Sequence, residues 1–466
     1  MRRPKNPPTG LEASFGVEEL FFSTTDNAGV IRAGNDVFVR LSKYPVEELL
    51  GAPHNVIRHP DMPRAVFKLF WDYLLAGKTI AAYVKNLAAD GSHYWVLALA
   101  TPIEDGFLSI RLKPTSELFP VAETLYKELR AIETDPANQG EKNKDGMLRA
   151  EQELGEKLVA LGFASYDDFM CEALRQEISA RDAAMAQMPA RGPRPECSDP
   201  LICKAMSAFA ASQKSIDAIY AHVGALLEMR EGLEQKVSFA DQLSRQFRRV
   251  AMNTSVKSAA LRSTSQALGT VAAHLGTSAR SVRAGADSFR EQADITSSVL
   301  QQSAFRLATV RLGIEMGMGY CVESAQASSQ PGGLNGHASR QPLEPILIDL
   351  YTAVSRLLSA VDGALVALGP NLASMASDSE GLRRTVLQLR FAQLAGSIEA
   401  ARLDVQSVVG PLLVEIGESI EHAQTELAEL NRNIESLLHR VETMPDMVKQ
   451  LSRHIQVLAP ESLLAA

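Results

Sequence analysis

At 466 residues, 46% of them hydrophobic and 22% charged, the chain has ordinary globular composition and length for roughly two to four domains. A formal net charge of −8 argues against a general nucleic-acid binder, which presents a basic face. No uncharged apolar run reaches about 18 residues, the start MRRPKNPPTG has no apolar core of a signal peptide, and Cys171, Cys197, Cys203 and Cys321 form no C-x-x-C zinc spacing, so a cytoplasmic protein with reduced thiols and no membrane span is expected.

The aromatic residues divide the chain. Trp71, Trp95 and eight of the sixteen phenylalanines precede residue 121. In that part FFSTTD and VIRAGN read as two short strands around a turn supplied by Asn27 and Gly29. DVFVRLSKY reads as a short helix, and a second follows over Ser42–Leu50, with Pro45 in its first turn and Gly51 as its stop. Pro53, Pro60 and Pro63 forbid regular helix across HNVIRHPDMP, leaving a loop or a single irregular turn over His54–Asp61. The segment RAVFKLFWDYLLAG puts Val66, Phe67, Phe70, Trp71 and Leu74 at helical spacing. Three strands complete the order, in AAYVKNL, HYWVLALATPI and GFLSIRL, the first two joined by a turn at Asp90–Gly91. The expected class is α+β for residues 11–117, followed by an all-α remainder.

HNVIRHPDMP concentrates two histidines, an arginine and an aspartate in ten residues. Four readings compete. A metal site is disfavoured because His54 and His59 lack helical His-x-x-x-His placement and no cysteine is near. A catalytic cluster lacks an evident nucleophile beside His59 and Asp61. A self-satisfied polar loop is a plain alternative. The residue types also suit a charged cofactor, which needs an apolar slot, donors for its carbonyls and a cation for its phosphates. Phe70, Trp71 and Trp95 are candidate walls, Arg58 a candidate phosphate ligand, and His54, His59 and Asn86 candidate donors. Each has a bland reading too, the tryptophans as core and Asn86 as a satisfied strand end.

Together GVIRAGNDVF, Leu49–Leu50–Gly51, PHNVIRHPDMP, the Phe67-x-x-x-Trp71 pair, VKN at 84–86 and DGSHYWV at 90–96 resemble the PAS domain of bacterial aerotaxis receptors. The resemblance covers about a quarter of the chain. It implies a five-stranded antiparallel sheet with flanking helices, enclosing FAD whose redox state is the signal. It also implies Arg58, His59, Asp61 and Trp71, then His54, Asn35 and Asn86, as cofactor-binding positions. One departure stands out: where the family has a Trp-Ser-Gly type stretch before VKN, this chain has Thr79-Ile80-Ala81-Ala82. Haem, or no cofactor in a PAS dimerisation scaffold, are the rival expectations.

The remainder is read as a helical connector (118–190, with a loop at 134–145 and helix again over 146–189), a long helical region (191–325), a flexible linker (326–342) and a second helical region (343–458) forming a bundle or coiled coil. Residues 247–280 resemble the signalling tip of methyl-accepting chemotaxis receptors. Val250-Ala251-Met252-Asn253 keeps the family pattern, but Lys257 stands where the family has Glu and Ala260 where it has Arg. A second echo at 391–403 retains Glu399 and Arg402. These resemblances imply a redox or oxygen sensor that is not an enzyme, works as a homodimer, and signals to a chemotaxis coupling protein, a histidine kinase or another partner, with Asn253, Lys257, Glu399 and Arg402 as contact candidates.

Overall fold

The computed structural model describes residues 6–135, 144–189, 197–260, 266–329, 342–402 and 405–463. The chain divides into two compact units, one of residues 1–220, 304–361 and 448–466, the other of 221–303 and 362–447.

The first unit is built on an antiparallel sheet of β1 (Phe21–Thr25), β2 (Ile31–Gly34), β3 (Ile80–Leu87), β4 (His93–Ile103) and β5 (Gly106–Leu112), in the order β2-β1-β5-β4-β3. Between β2 and β3 lie α1 (Asp36–Ser42), the four-residue α2 (Val46–Leu49), a 3-10 turn over His54–Ile57, and α3 (Arg64–Leu75). The prolines thus leave one irregular turn where the sequence predicts one. Gly91 turns the β3–β4 hairpin at φ 87°, a conformation that costs a Cβ-bearing residue dearly.

Residues directly opposite each other in a ladder share a face. Ser23 pairs with Ser109, Ala98 with Arg111, and Ala100 with Ser109, so the middle of one face is small and polar. Phe22 and Leu99 both pair with Ile110, and Thr101 pairs with Leu108, so the other is mostly apolar.

Helices cover the apolar face. The helices α4 (Leu118–Thr134), α5 (Lys144–Ala160) and α6 (Tyr166–Ala186) pack on the sheet and on α3 rather than standing off as a connector. Trp95 packs edge-on to Phe119 at 5.4 Å, and the Tyr83 hydroxyl donates to the buried Glu177 carboxylate at 2.9 Å. Glu177 also accepts from the Thr115 and Ser116 amides. The segment expected to be helical over 146–189 is two helices. Gly162 at φ 91° ends α5, and Ser165 caps α6 by accepting from the Asp168 amide, two stop-start signals of the usual kind.

Parts of α8 (Gln266–Ser329) and α9 (Leu343–Arg402) also lie on this face. Gly313, Val354 and Leu357 meet Leu99, Leu108 and Ile110, and Phe22 lies edge-on to Tyr320 at 5.2 Å. A Cβ on Gly313 would stand 3.1 Å from Val354, so glycine permits this close approach of α8 and α9. The buried Arg181 of α6 pairs with Glu315 at 2.6 Å, and the half-buried Arg311 with Asp182 at 2.7 Å. Helix α8 continues to Ser329, four residues into the segment expected as a linker; 330–341 lie outside the described residues.

The second unit holds the remaining parts of α8, α9, α7 (Pro200–Ala260) and α10 (Gln406–Gln456). Helices α8 and α9 run antiparallel in it. Gln292 reaches Ser374 while Ser288 reaches Asp378; Arg390 pairs with Glu421; Gln246 reaches Ser419. Four segments of one chain therefore form this bundle. Among the described residues α9 contains one stretch long and apolar enough to cross a membrane by length and composition, a test that core helices also pass; 39% of it is buried. Leu350, Ala353, Val354 and Leu357 of the same helix line its contact with the sheet.

Candidate functional site

The polar face of the sheet, the 3-10 turn and α3 enclose a cavity of about 400 Å³, within the size range of small-molecule sites. Its floor is Ser23, Thr25, Val84, Asn86, Ala98, Ala100, Ser109 and Arg111. Its far wall is Phe67, Phe70, Trp71 and Leu74 of α3, and Met147 of α5 reaches its rim. Trp71 is held by an edge contact with Phe107 at 5.5 Å and lies against Gly29, where a Cβ would come within 2.9 Å of the indole. Gly29 has φ 77°, so both backbone conformation and space require glycine there.

Arg111 is 2% exposed on the floor. Its guanidinium donates to Ser23 Oγ at 3.0 Å and to the Ser109 carbonyl at 3.3 Å, and lies over the rings of Phe21 and Phe38. It approaches His54 Nε2 at 2.7 Å. A guanidinium only donates, so Nε2 accepts, and the neutral ring carries its proton on Nδ1. Burial, then the neighbouring Arg111 charge, holds the His54 pKa down at about 3. Burial likewise lowers Arg111 to about 10, which leaves it charged at neutral pH. Among the described residues no carboxylate pairs with it. A buried cation without a counter-charge is costly, and so are two further groups on this floor: Asn86 Nδ2 and Ser109 Oγ, buried with no hydrogen-bond partner.

The profile of the PAS fold family matches residues 33–108. Over 122 residues the chain is 44% identical to the aerotaxis receptor of Escherichia coli (strain K12), a match covering 25% of this chain and 24% of that receptor. Residues 33–108 form a PAS domain. The five-stranded antiparallel sheet with flanking helices and the helical remainder agree with the expected fold class.

The PAS cavity fits a flavin cofactor in residue type. It offers unpartnered donors at Asn86 and Ser109 for ring carbonyls, an aromatic wall at Phe70 and Trp71, small floor residues at Ala98 and Ala100, and cations at Arg58, Arg64 and Lys68 for phosphates. Arg58 donates to the Met62 carbonyl at 3.0 Å and lies 4.1 Å over the Phe67 ring; burial lowers its pKa to about 10. The four expected positions Arg58, Trp71, His54 and Asn86 thus meet in one cavity.

Three others do not. Asn35 is the N-cap of α1, accepting from Phe38 N and Phe22 N at 3.3 Å each, and its amide reaches Glu323 of α8 at 3.1 Å. His59 and Asp61 lie outside the cavity lining. The turn at Pro60 folds the pair back on itself, so that Asp61 N donates to His59 Nδ1 at 3.1 Å and the Asp61 carboxylate accepts from Lys85 at 3.0 Å. Burial, then Lys85, keeps His59 near pKa 4. Trp95, expected as a wall, pairs with Lys85 in the ladder and therefore faces α4, opposite to Asn86. Arg111, Ser109 and Ser23 are floor residues the sequence reading missed; their signal is the alternation of Phe107, Ser109 and Arg111 in GFLSIRL, which puts polar groups on a buried face.

Of the signalling-tip candidates, Asn253 is exposed on α7, and Glu399 and Arg402 form an ion pair at 2.6 Å near the end of α9. The side chain of Lys257 lies outside the described residues. Among the described residues no cluster of histidine, cysteine and carboxylate groups is arranged to hold a metal.

Proposed function

We propose that this chain is a redox or oxygen sensor in signal transduction whose PAS domain binds FAD. The observation that carries the reading is that Asn86 Nδ2 and Ser109 Oγ, buried and without a hydrogen-bond partner among the described residues, both lie on the lining of the PAS cavity, where a ligand or water would satisfy them. The similarity to an aerotaxis receptor supports the sensory role. FAD, when bound, would supply a reversible change of charge and protonation. Asn86, Ser109 and Ser23 would orient the ring against Phe70 and Trp71, and Arg58 and Lys68 would hold the phosphates. Haem is the weaker fit. His54 Nε2 is occupied by Arg111, and His59 does not line the cavity, so neither imidazole offers a lone pair to iron there.

The neutral acceptor His54 and the donor Arg111 hold the floor of the cavity in one hydrogen-bonded arrangement. The opposite face of the same strands bears on α8 and α9. A change in the floor therefore has to cross only one sheet to reach helices that run on into the bundle. We read the protein as a cytoplasmic homodimer that passes this change to a chemotaxis-type coupling protein, histidine kinase or other partner, with Asn253, Lys257, Glu399 and Arg402 as contact candidates. No enzymatic turnover is part of the reading.

The test is the absorption spectrum of the purified protein, before and after reconstitution with FAD, with heat release of the bound group. Flavin bands and released FAD are expected, and Asn86→Ala is expected to bind FAD at least tenfold more weakly. A chain that takes up no FAD would leave a cofactor-free scaffold; a Soret band would replace flavin by haem.

A further inference from the structure

We infer that Arg111 is the residue that makes the PAS cavity discriminate between two charge states of its ligand, binding a reduced, anionic flavin ring more tightly than the neutral oxidised ring. The inference rests on the FAD reading above and adds to it the identity and sign of the tuning group. Three observations carry it.

Arg111 is fixed. Ser23 Oγ, the Ser109 carbonyl and His54 Nε2 take its N–H groups, and Phe21 and Phe38 pack on its plane. None of these is an anion, so the positive charge is held in place without being neutralised. That is costly in a ligand-free cavity and favourable to any negative charge placed on the floor.

The position of Arg111 suits the ring rather than the phosphates. It is 2% exposed, among Ala98, Ala100 and Ser109 on a flat floor. Lys68, by contrast, is 33% exposed at the side chain and is joined to Asp72 and Glu151. Arg64 is an exposed cation on the same lining. The strongly hydrated phosphates belong with these more exposed cations, which leaves the buried one to the ring.

The neighbour of Arg111 cannot substitute for a ligand charge. His54 is neutral and acts as acceptor, so it neither adds a second positive charge nor supplies a negative one. The neutral oxidised ring takes up two electrons and one proton to become a singly negative reduced ring. In the presence of Arg111 the second state alone gains a full ion pair with a buried guanidinium, where such a pair counts for more than in solvent.

The test uses the full-length protein loaded with FAD and reduced by dithionite, with midpoint potentials from spectroelectrochemical titration and oxidised-FAD affinity from fluorescence quenching. Arg111→Gln keeps donors and removes the charge. It is expected to lower the ratio of reduced to oxidised affinity by ten- to a hundredfold, a shift of about 30–60 mV to more negative potential for a two-electron couple. Oxidised FAD should bind within a few-fold of wild type, and Arg111→Lys should keep most of the wild-type potential. A flavin-bearing Arg111→Gln protein with unchanged potential overturns the inference and leaves the FAD reading standing. A wild-type chain that binds no FAD overturns both.

Should the Gln variant fail to fold, the wild-type potential against pH decides. His54, Arg58, Arg64, Lys68 and Arg111 are the titratable groups on the cavity lining. With Arg111 holding the anion, the slope stays at one proton per two electrons, about 30 mV per pH unit, through pH values at which free reduced FAD has already taken up its second proton. A slope that doubles at the same pH as for free FAD contradicts the assignment.

Discussion

The two faces of the PAS sheet are built from the same strands and are opposite in kind. On the cavity face, among the described residues, Asn86 Nδ2 and Ser109 Oγ have no partner and Arg111 has no counter-charge. On the other face Phe22, Leu99, Leu108 and Ile110 are each at most 3% exposed, against Tyr320, Gly313 and Val354. One face is incomplete and the other is filled. The contrast makes the two faces respond differently to mutation.

The largest effect is expected on the filled face. Phe22→Ala removes a ring that is 0% exposed and should destabilise the protein by about 3–5 kcal/mol, read by chemical denaturation of the ligand-free chain. A loss below about 1 kcal/mol would mean that the helices do not depend on this face.

The next effect separates the faces by pH. Glu323 of α8 accepts from Asn35 Nδ2, and burial, then the charge of Asp36, raises its pKa to about 7. The fold therefore favours protonated Glu323. Its contribution is full below its ordinary pKa and is lost as pH rises through 7, by roughly 2–3 kcal/mol. His54 behaves oppositely: its depressed pKa means that its contribution is full above its ordinary pKa of 6.5 and is lost as pH falls toward 3. Melting curves across pH 4–8 should flatten on the alkaline side in Glu323→Gln and keep their acid loss. An unchanged alkaline limb would remove Glu323 from the contact.

Smaller effects belong to the incomplete face. Trp71→Ala should weaken FAD binding at least tenfold, about 1.4 kcal/mol, by isothermal titration. Ser109→Ala should change ligand-free stability by less than about 1 kcal/mol, because it removes a group that has no partner, yet it should weaken FAD binding. Ligand-free destabilisation well beyond that would show that Ser109 serves the fold.

The sequence made one side of this contrast easier to see than the other. The strands of the hairpin, the irregular turn at His54 and the helix carrying Trp71 follow from alternation, proline and 3.6-residue spacing. Arg58, Trp71, His54 and Asn86 follow from residue type. His59 and Asp61 do not, because being adjacent in a polar motif says nothing about direction, and the Pro60 turn aims them at Lys85 and each other. Trp95 is displaced by parity: Tyr94, not Trp95, pairs with Asn86, which requires the ladder register to know. Arg111 was readable as a charged residue in an otherwise buried strand. The covering of the second face by α6, α8 and α9 was not, since contacts such as Asn35–Glu323 span 288 positions.

The most direct test of the central claim, that the filled face receives what the incomplete face senses, is hydrogen–deuterium exchange of the FAD-loaded protein in oxidised and reduced states. Altered protection is expected in β1 and β5 together with the stretch of α8 from Arg311 to Glu323. Changes confined to the 3-10 turn and α3, with α8 unmoved, would contradict the claim.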